Sequence, residues 1–133
     1  MAGLTQELNL LSKALSLRAE RHQLLASNVA NADTPNYKAR DFDFAKAMEG
    51  AMSGRSGVHL ARTSGAHLDA SGGAGMASMQ YRSPSQSAVD GNTVDMDIER
   101  AQISENAIQY EVLTRLVSDR IQAMRTAISS NQG

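Results

Sequence analysis

The sequence predicts a mainly α-helical fold. Two long amphipathic terminal helices should pack as a coiled-coil-like hairpin, with a Gly/Ser-rich, partly extended middle segment between them. Three observations predict it. Apolar residues recur at spacings of three and four near both ends of the chain, aromatics make up only 4% of a composition that is 41% hydrophobic, and most of the ten glycines fall within residues 50–75. A core without large rings must be filled by Leu, Ile, Val, Met and Ala, which suits helix-on-helix packing. The 133 residues have room for one structural unit. It should have three parts: an N-terminal helix over 1–33, a turn and flexible middle segment over 34–90, and a C-terminal helix over 91–133.

The first helix rests on Leu4, Leu8, Leu11, Leu15, Arg18, His22, Leu25 and Val29, which step alternately by four and three and so lie on one stripe. Leu10, Leu17 and Leu24 form a second row at seven-residue intervals, making the apolar surface wider than one partner helix covers. More than one neighbour is therefore expected. The helix should end before Pro35, because Thr34 precedes a proline and Asn31 suits the left-handed conformation of a helix end. Thr34, Pro35, Asn36 and Tyr37 then read as a type I or II turn, with proline where φ near −65° is wanted and Asn36 where φ above zero is tolerated.

Asp41, Phe42, Asp43 and Phe44 alternate polar with apolar, the pattern of a short extended piece with both phenylalanines on one side. Residues 50–75 combine glycine and serine with few large apolar groups, so burial cannot offset the entropy of ordering and a flexible loop is expected. Short strands or helical turns are possible within it at residues 58–62 and at His67 and Leu68. After Asp90, Asp95, Asp97 and Glu99, a second long helix begins, with Asn92 or Asp95 as its cap and the acids at its positive end. Ile103, Ala107, Tyr110, Leu113, Val117, Ile121, Met124 and Ile128 form its stripe, Val112 and Leu116 widen it, and Arg115, Arg120 and Arg125 lie toward its negative end.

Composition also excludes function classes. Thirteen basic against fourteen acidic residues leave a net charge of −1, which offers no attraction to a nucleic-acid backbone or an anionic bilayer. No apolar run approaches the roughly 20 residues that cross a bilayer. With no cysteine there is no disulfide, no thiolate nucleophile and no sulfur ligand for zinc. His22, His59 and His67 lack metal-ligand spacing, and the acidic run from Asp90 to Glu99 lacks an oxygen ligand and the central glycine of a calcium loop. His22 is expected to be partly buried or interfacial. No serine has a nucleophile elbow or a paired base, and no glycine run continues into a phosphate loop. No enzyme, cofactor or metal site is expected. Gln6, Glu7 and Asn9 interrupt the N-terminus, so a cleavable export signal is not expected either.

The most specific signal is the run over residues 25–40, in which Asn28 and Asn31 close a helix and Asp33, Thr34, Pro35, Asn36 and Tyr37 follow. It resembles the N-terminal signature of the bacterial flagellar rod, hook and hook-associated proteins. Tyr81 to Pro84, the run through Asp90, Gly91, Asn92, Val94 and Asp95, and residues 105–110 resemble the rod members in particular, as do residues 59–63 with His67 and Leu68. Asn36 stands where the family usually has glycine, and residues 71–75 have no match in it.

The resemblance implies an architectural protein. Terminal helices of many copies would pack as a tube forming part of a drive shaft and export channel, with Leu4, Leu8, Leu11, Leu15, Leu25 and Val29 meeting Tyr110, Leu113, Val117, Ile121, Met124 and Ile128. Asn28 and Asn31 would fix the helix exit, within an assembly signature that also takes in Asp33, Thr34, Pro35, Tyr37, Asp90, Gly91, Asn92, Val94 and Asp95. The implied partners are further copies, the other rod proteins, the adaptor FliE, the MS-ring and the flagellar type III export apparatus. The implied location is the rod in the periplasmic space, reached without a cleaved signal. Amphipathic helices alone also fit a cytoplasmic helical adaptor or chaperone-like binding module.

Overall fold

The computed structural model describes residues 2–53, 80–82 and 89–130. Its elements are α1 (Ala2–Ala30), β1 (Arg40–Asp41), α2 (Phe44–Met52), β2 (Gln80–Tyr81) and α3 (Met96–Ser130). The terminal helices, α1 and α3, pack against each other. Their direction is read from three cross-links: Asn28 to Glu99 at 3.3 Å, Arg18 to Asn106 at 3.5 Å and Glu7 to Arg120 at 2.5 Å. Descending numbers in α1 meet ascending numbers in α3, so the pair is antiparallel. At 1.5 Å per residue α1 is about 44 Å long and α3 about 52 Å.

The exit of α1 corrects one expectation. Asn31 does not adopt a left-handed conformation, since Asn36, with φ of 59°, is the one non-glycine of positive φ among the described residues. The helix ends by tightening instead. The Asn31 N–H donates to both Ser27 and Asn28 carbonyls and the Ala32 N–H to the Val29 carbonyl, while the Asn31 side chain donates to the Ser27 carbonyl at 2.8 Å. Thr34 to Tyr37 then form the turn, closed by the Tyr37 N–H on the Thr34 carbonyl at 3.2 Å. Positive φ at its third residue makes it type II.

A second correction concerns Asp41 to Phe44. Only Arg40 and Asp41 are extended, pairing antiparallel with Tyr81 and Gln80, and Phe44 already opens α2. Asp43 causes the switch, because its carboxylate accepts the Lys46 N–H at 3.2 Å and so caps the helix. Residues 50–52, expected at the start of the loop, belong to α2 instead. Residues 54–79, with the expected short elements at 58–62 and at His67 and Leu68, lie outside the described residues, as do Ser83 and Pro84.

Leu17 and Phe42 form the buried centre, with Leu24, Phe44, Ala47 and Met48 packed against it. Leu17 and Leu24 belong to the second row of α1, so much of that row is covered by the chain's own β1–α2 region. Leu10, the third member, stays exposed. The Arg18 guanidinium lies 3.7 Å above the Phe44 ring centroid, and Lys13 donates to the Ala51 carbonyl at 2.8 Å, a cation on the negative end of α2. Asp95 caps α3, its carboxylate accepting the Asp97 and Ile98 N–H groups.

Candidate functional site

The signature residues converge on a joint at the end of α1. Asn28 is fully buried, and its side-chain amide pairs with both backbone groups of Arg40, donating to the carbonyl at 2.7 Å and accepting from the N–H at 3.0 Å. It thus serves the returning chain as a neighbouring strand would. Tyr37 is half-buried with its hydroxyl 3.4 Å from Asn28 Oδ1. Asp33, Thr34 and Pro35 are exposed on the outer side of the turn.

Residues 90–93 complete this joint from the other half of the chain. The Asn36 N–H donates to the Asp90 carbonyl at 3.0 Å, the Thr93 N–H to the Tyr37 carbonyl at 3.0 Å, and the Ala39 N–H to Thr93 Oγ1 at 2.8 Å. Asn92 is buried and directs its amide nitrogen at the carbonyls of Asn31, Ala32 and Thr34, at 3.0, 2.9 and 2.7 Å. The Asn31 and Thr34 carbonyls also accept the Thr34 and Tyr37 N–H groups, so Asn92 gives each of these two a second donor. Asn92 Oδ1 accepts the Val94 N–H at 2.8 Å, and the Asp90 carboxylate accepts the Asn92 N–H. Of the two residues expected as caps for α3, Asn92 therefore caps the exit of α1 and Asp95 caps α3. Gly91 has φ of 72°, and its carbonyl accepts from Lys38 Nζ at 2.6 Å. Val94 is half-buried beside them.

Behind the joint lies an ionic cluster. Arg21 grips Asp41 with two bonds of 3.0 and 2.9 Å and reaches Gln102 at 2.6 Å. Arg82 bridges Asp41, at 2.9 Å, and the fully buried Glu99. Burial pushes the Asp41 carboxyl upward, but bonds from Arg21, Arg82 and the Phe42 N–H outweigh it and hold the group below the ordinary carboxylate range. The bond to Asp41 likewise raises Arg21 against its burial. Arg18 is lowered, by burial first and by the nearby Arg21 second.

The helix-packing residues divide by exposure. Leu25 is buried, while Leu4, Leu8, Leu11, Leu15 and Val29 of α1, and Leu113, Val117 and Met124 of α3, are half-buried. Tyr110, Ile121 and Ile128 are exposed on one side of the α3 row that faces α1; Ile108, Val112 and Leu116 are exposed on the other. Ala107, expected in the stripe, is exposed because its neighbour Asn106 takes the place facing α1. His22 is exposed, not partly buried. Among the described residues no group of acids and histidines is placed to hold a metal ion, and no helix is long and apolar enough to cross a membrane.

The family described as Flagella basal body rod protein matches residues 8–38, which span most of α1, the type II turn and the first residue after it. Curated relatives match far more of the chain. The flagellar basal body rod protein FlgB of Escherichia coli strain K12 is 45% identical over 123 residues, covering 89% of each chain. FlgB of Salmonella typhimurium is 42% identical over 121 residues, covering 87% of this chain and 88% of the relative. FlgB of Cereibacter sphaeroides is 41% identical over 129 residues, covering 96% and 98%.

The chain belongs to the FlgB family of flagellar basal body rod proteins.

In this FlgB family member the joint was only half visible as sequence. The turn residues stand out by type, whereas Arg21, Asp41, Arg82, Glu99, Gln102 and Asn106 do not. One signal was available: Glu99, Asn106, Leu113 and Arg120 repeat every seven residues along α3. Three of the four are polar, so a search for apolar periodicity passes over the row. Each of those three reaches α1, at Asn28, Arg18 and Glu7 respectively.

Proposed function

We propose that this FlgB family member is a structural subunit of the flagellar basal body rod, polymerising through its terminal helices to form part of the drive shaft and export channel. One observation carries the mode of assembly. Helix α3 keeps apolar side chains exposed on both sides of the row that faces α1, with Ile108, Val112 and Leu116 on one flank and Tyr110, Ile121 and Ile128 on the other. Two flanks at different angles around one helix call for two different neighbours, a heterologous contact that extends into a helical assembly.

The chain works as one unit of three parts, 1–33, 34–90 and 91–133, with the joint of Asn28, Asn92 and Gly91 setting the angle at which the chain leaves α1. Asp33, Thr34 and Pro35, exposed on that joint, contact the adjoining subunit. The role is architectural, with no catalytic step. Its neighbours are further copies, other rod proteins, the adaptor FliE and the MS-ring; it reaches the periplasmic rod through the flagellar export apparatus without a cleaved signal.

Val112→Asp tests the mode of assembly, because Val112 is exposed and its replacement leaves the α1–α3 contact intact. The purified variant should melt like the parent chain yet be missing from isolated basal bodies, with motility lost. Normal incorporation of the variant would contradict assembly through this flank.

A further inference from the structure

Arg82 stands where three elements meet. Its Nη2 donates to Asp41 Oδ2 at 2.9 Å, its Nη1 pairs with Glu99, and its backbone N–H donates to the Ala39 carbonyl at 2.8 Å. Among the described residues, little else holds β2. Gln80 and Tyr81 are both exposed and their ladder to β1 is two residues long, with the Arg40 guanidinium 5.9 Å from the Tyr81 ring. Helices α1 and α3, by contrast, are cross-linked at both ends and near the middle. A segment with few contacts and no apolar burial opens at lower free energy than the body it rests on.

We propose that Asp41 is an acid-released clasp: protonation of its carboxyl frees Arg82 and strand β2 while the α1–α3 hairpin stays closed. Asp41 Oδ2 accepts from Arg21 and Arg82 together. A proton on the carboxyl removes the negative charge they share and leaves two guanidinium groups facing each other. Among the described residues, the Arg82 side chain then keeps Glu99 and Arg21 keeps Gln102.

The charges around this centre come from every neighbouring element. Helix α1 contributes Arg21, with Arg18 next to it; β1 contributes Arg40, turned over Tyr81; β2 contributes Arg82; and α3 contributes Glu99, with Glu105 acting on Arg21 through space. At the start of α2, Asp43 is engaged with the Lys46 N–H. Burial favours the neutral Asp41 carboxyl, but the bonds from Arg21 and Arg82 win and its folded pKa lies below the unfolded one. The stabilisation is therefore complete above the unfolded value of about 3.9 and is lost as pH falls through the lower folded value. The clasp is closed at neutrality and opens only as pH falls through that lowered folded value.

Amide hydrogen exchange on the full chain tests this, with rates corrected for their intrinsic pH dependence. On acidification the Arg82 N–H should lose its protection while Leu25 and Asn106 keep theirs. Asp41→Asn should show the same selective loss at pH 7. Parallel loss at Arg82, Leu25 and Asn106 in acid would overturn the proposal. So would full protection of Arg82 in Asp41→Asn at pH 7. If Asp41→Asn does not fold, the parent chain's titration decides between selective and parallel loss.

Discussion

Asn36 and Gly91 face each other across the joint, and each has a positive φ, 59° and 72°. A Cβ on Gly91 would lie 2.6 Å from Asn36 Oδ1, so the two halves of the chain approach as closely as a glycine allows. The contact is sealed by the Asn36 N–H donating to the Asp90 carbonyl.

Gly91→Ala should destabilise the chain by about 1–2 kcal/mol, combining the left-handed conformation with displacement of the Asn36 side chain. Asn36→Gly keeps the positive φ and should shift stability by less than about 1 kcal/mol. The double variant recovers the contact part of the Gly91→Ala loss and keeps the backbone part. Denaturant midpoints of the three variants measure both parts, and an additive double variant would show that the side-chain contact contributes nothing.

Asn92→Ala removes the donor shared by the Asn31, Ala32 and Thr34 carbonyls and the acceptor of the Val94 N–H. The expected cost is about 1–3 kcal/mol, the range for leaving buried polar groups unsatisfied. Thermal melting gives the size of the loss, and amide exchange at Val94 shows whether it is local to the joint.

Among the described residues, Arg82→Met leaves the fully buried Glu99 with Asn28 as its remaining side-chain partner. Removing one member of a buried ion pair costs about 3–5 kcal/mol, and Arg82→Met should fall near the lower figure because Arg82 keeps some exposure. Adding Glu99→Gln should restore much of it by removing the stranded charge. The cycle is read by chemical denaturation, and a double variant as weak as the sum of the singles would show that the two side chains do not interact.

Leu25→Ala should cost about 2–5 kcal/mol, as expected for a fully buried leucine. Leu10→Ala, on the exposed end of the second row, should change stability by no more than about 0.5 kcal/mol. Equal losses from the two changes would contradict the burial pattern along α1.

Residue types and their spacing determined both terminal helices and the turn at Pro35 and Asn36, and narrowed the cap of α3 to Asn92 or Asp95, because each depends on contacts within a few positions. The helix over residues 44–52 escaped notice because Asp41 to Phe44 alternates like a strand, and only the capping bond from Asp43 decides otherwise. Tertiary structure alone decided what faces α1. It placed Glu99 and Asn106 in the row where periodicity expected apolar side chains, and it left Val112 and Leu116 exposed. A buried polar residue is stable only if a partner from elsewhere in the chain satisfies it, and here those partners are Arg82, Asn28 and Arg18, far from it in sequence. Hydrophobic periodicity is local information, whereas the pairing of charges across α1, β1, β2 and α3 exists only once the chain has closed.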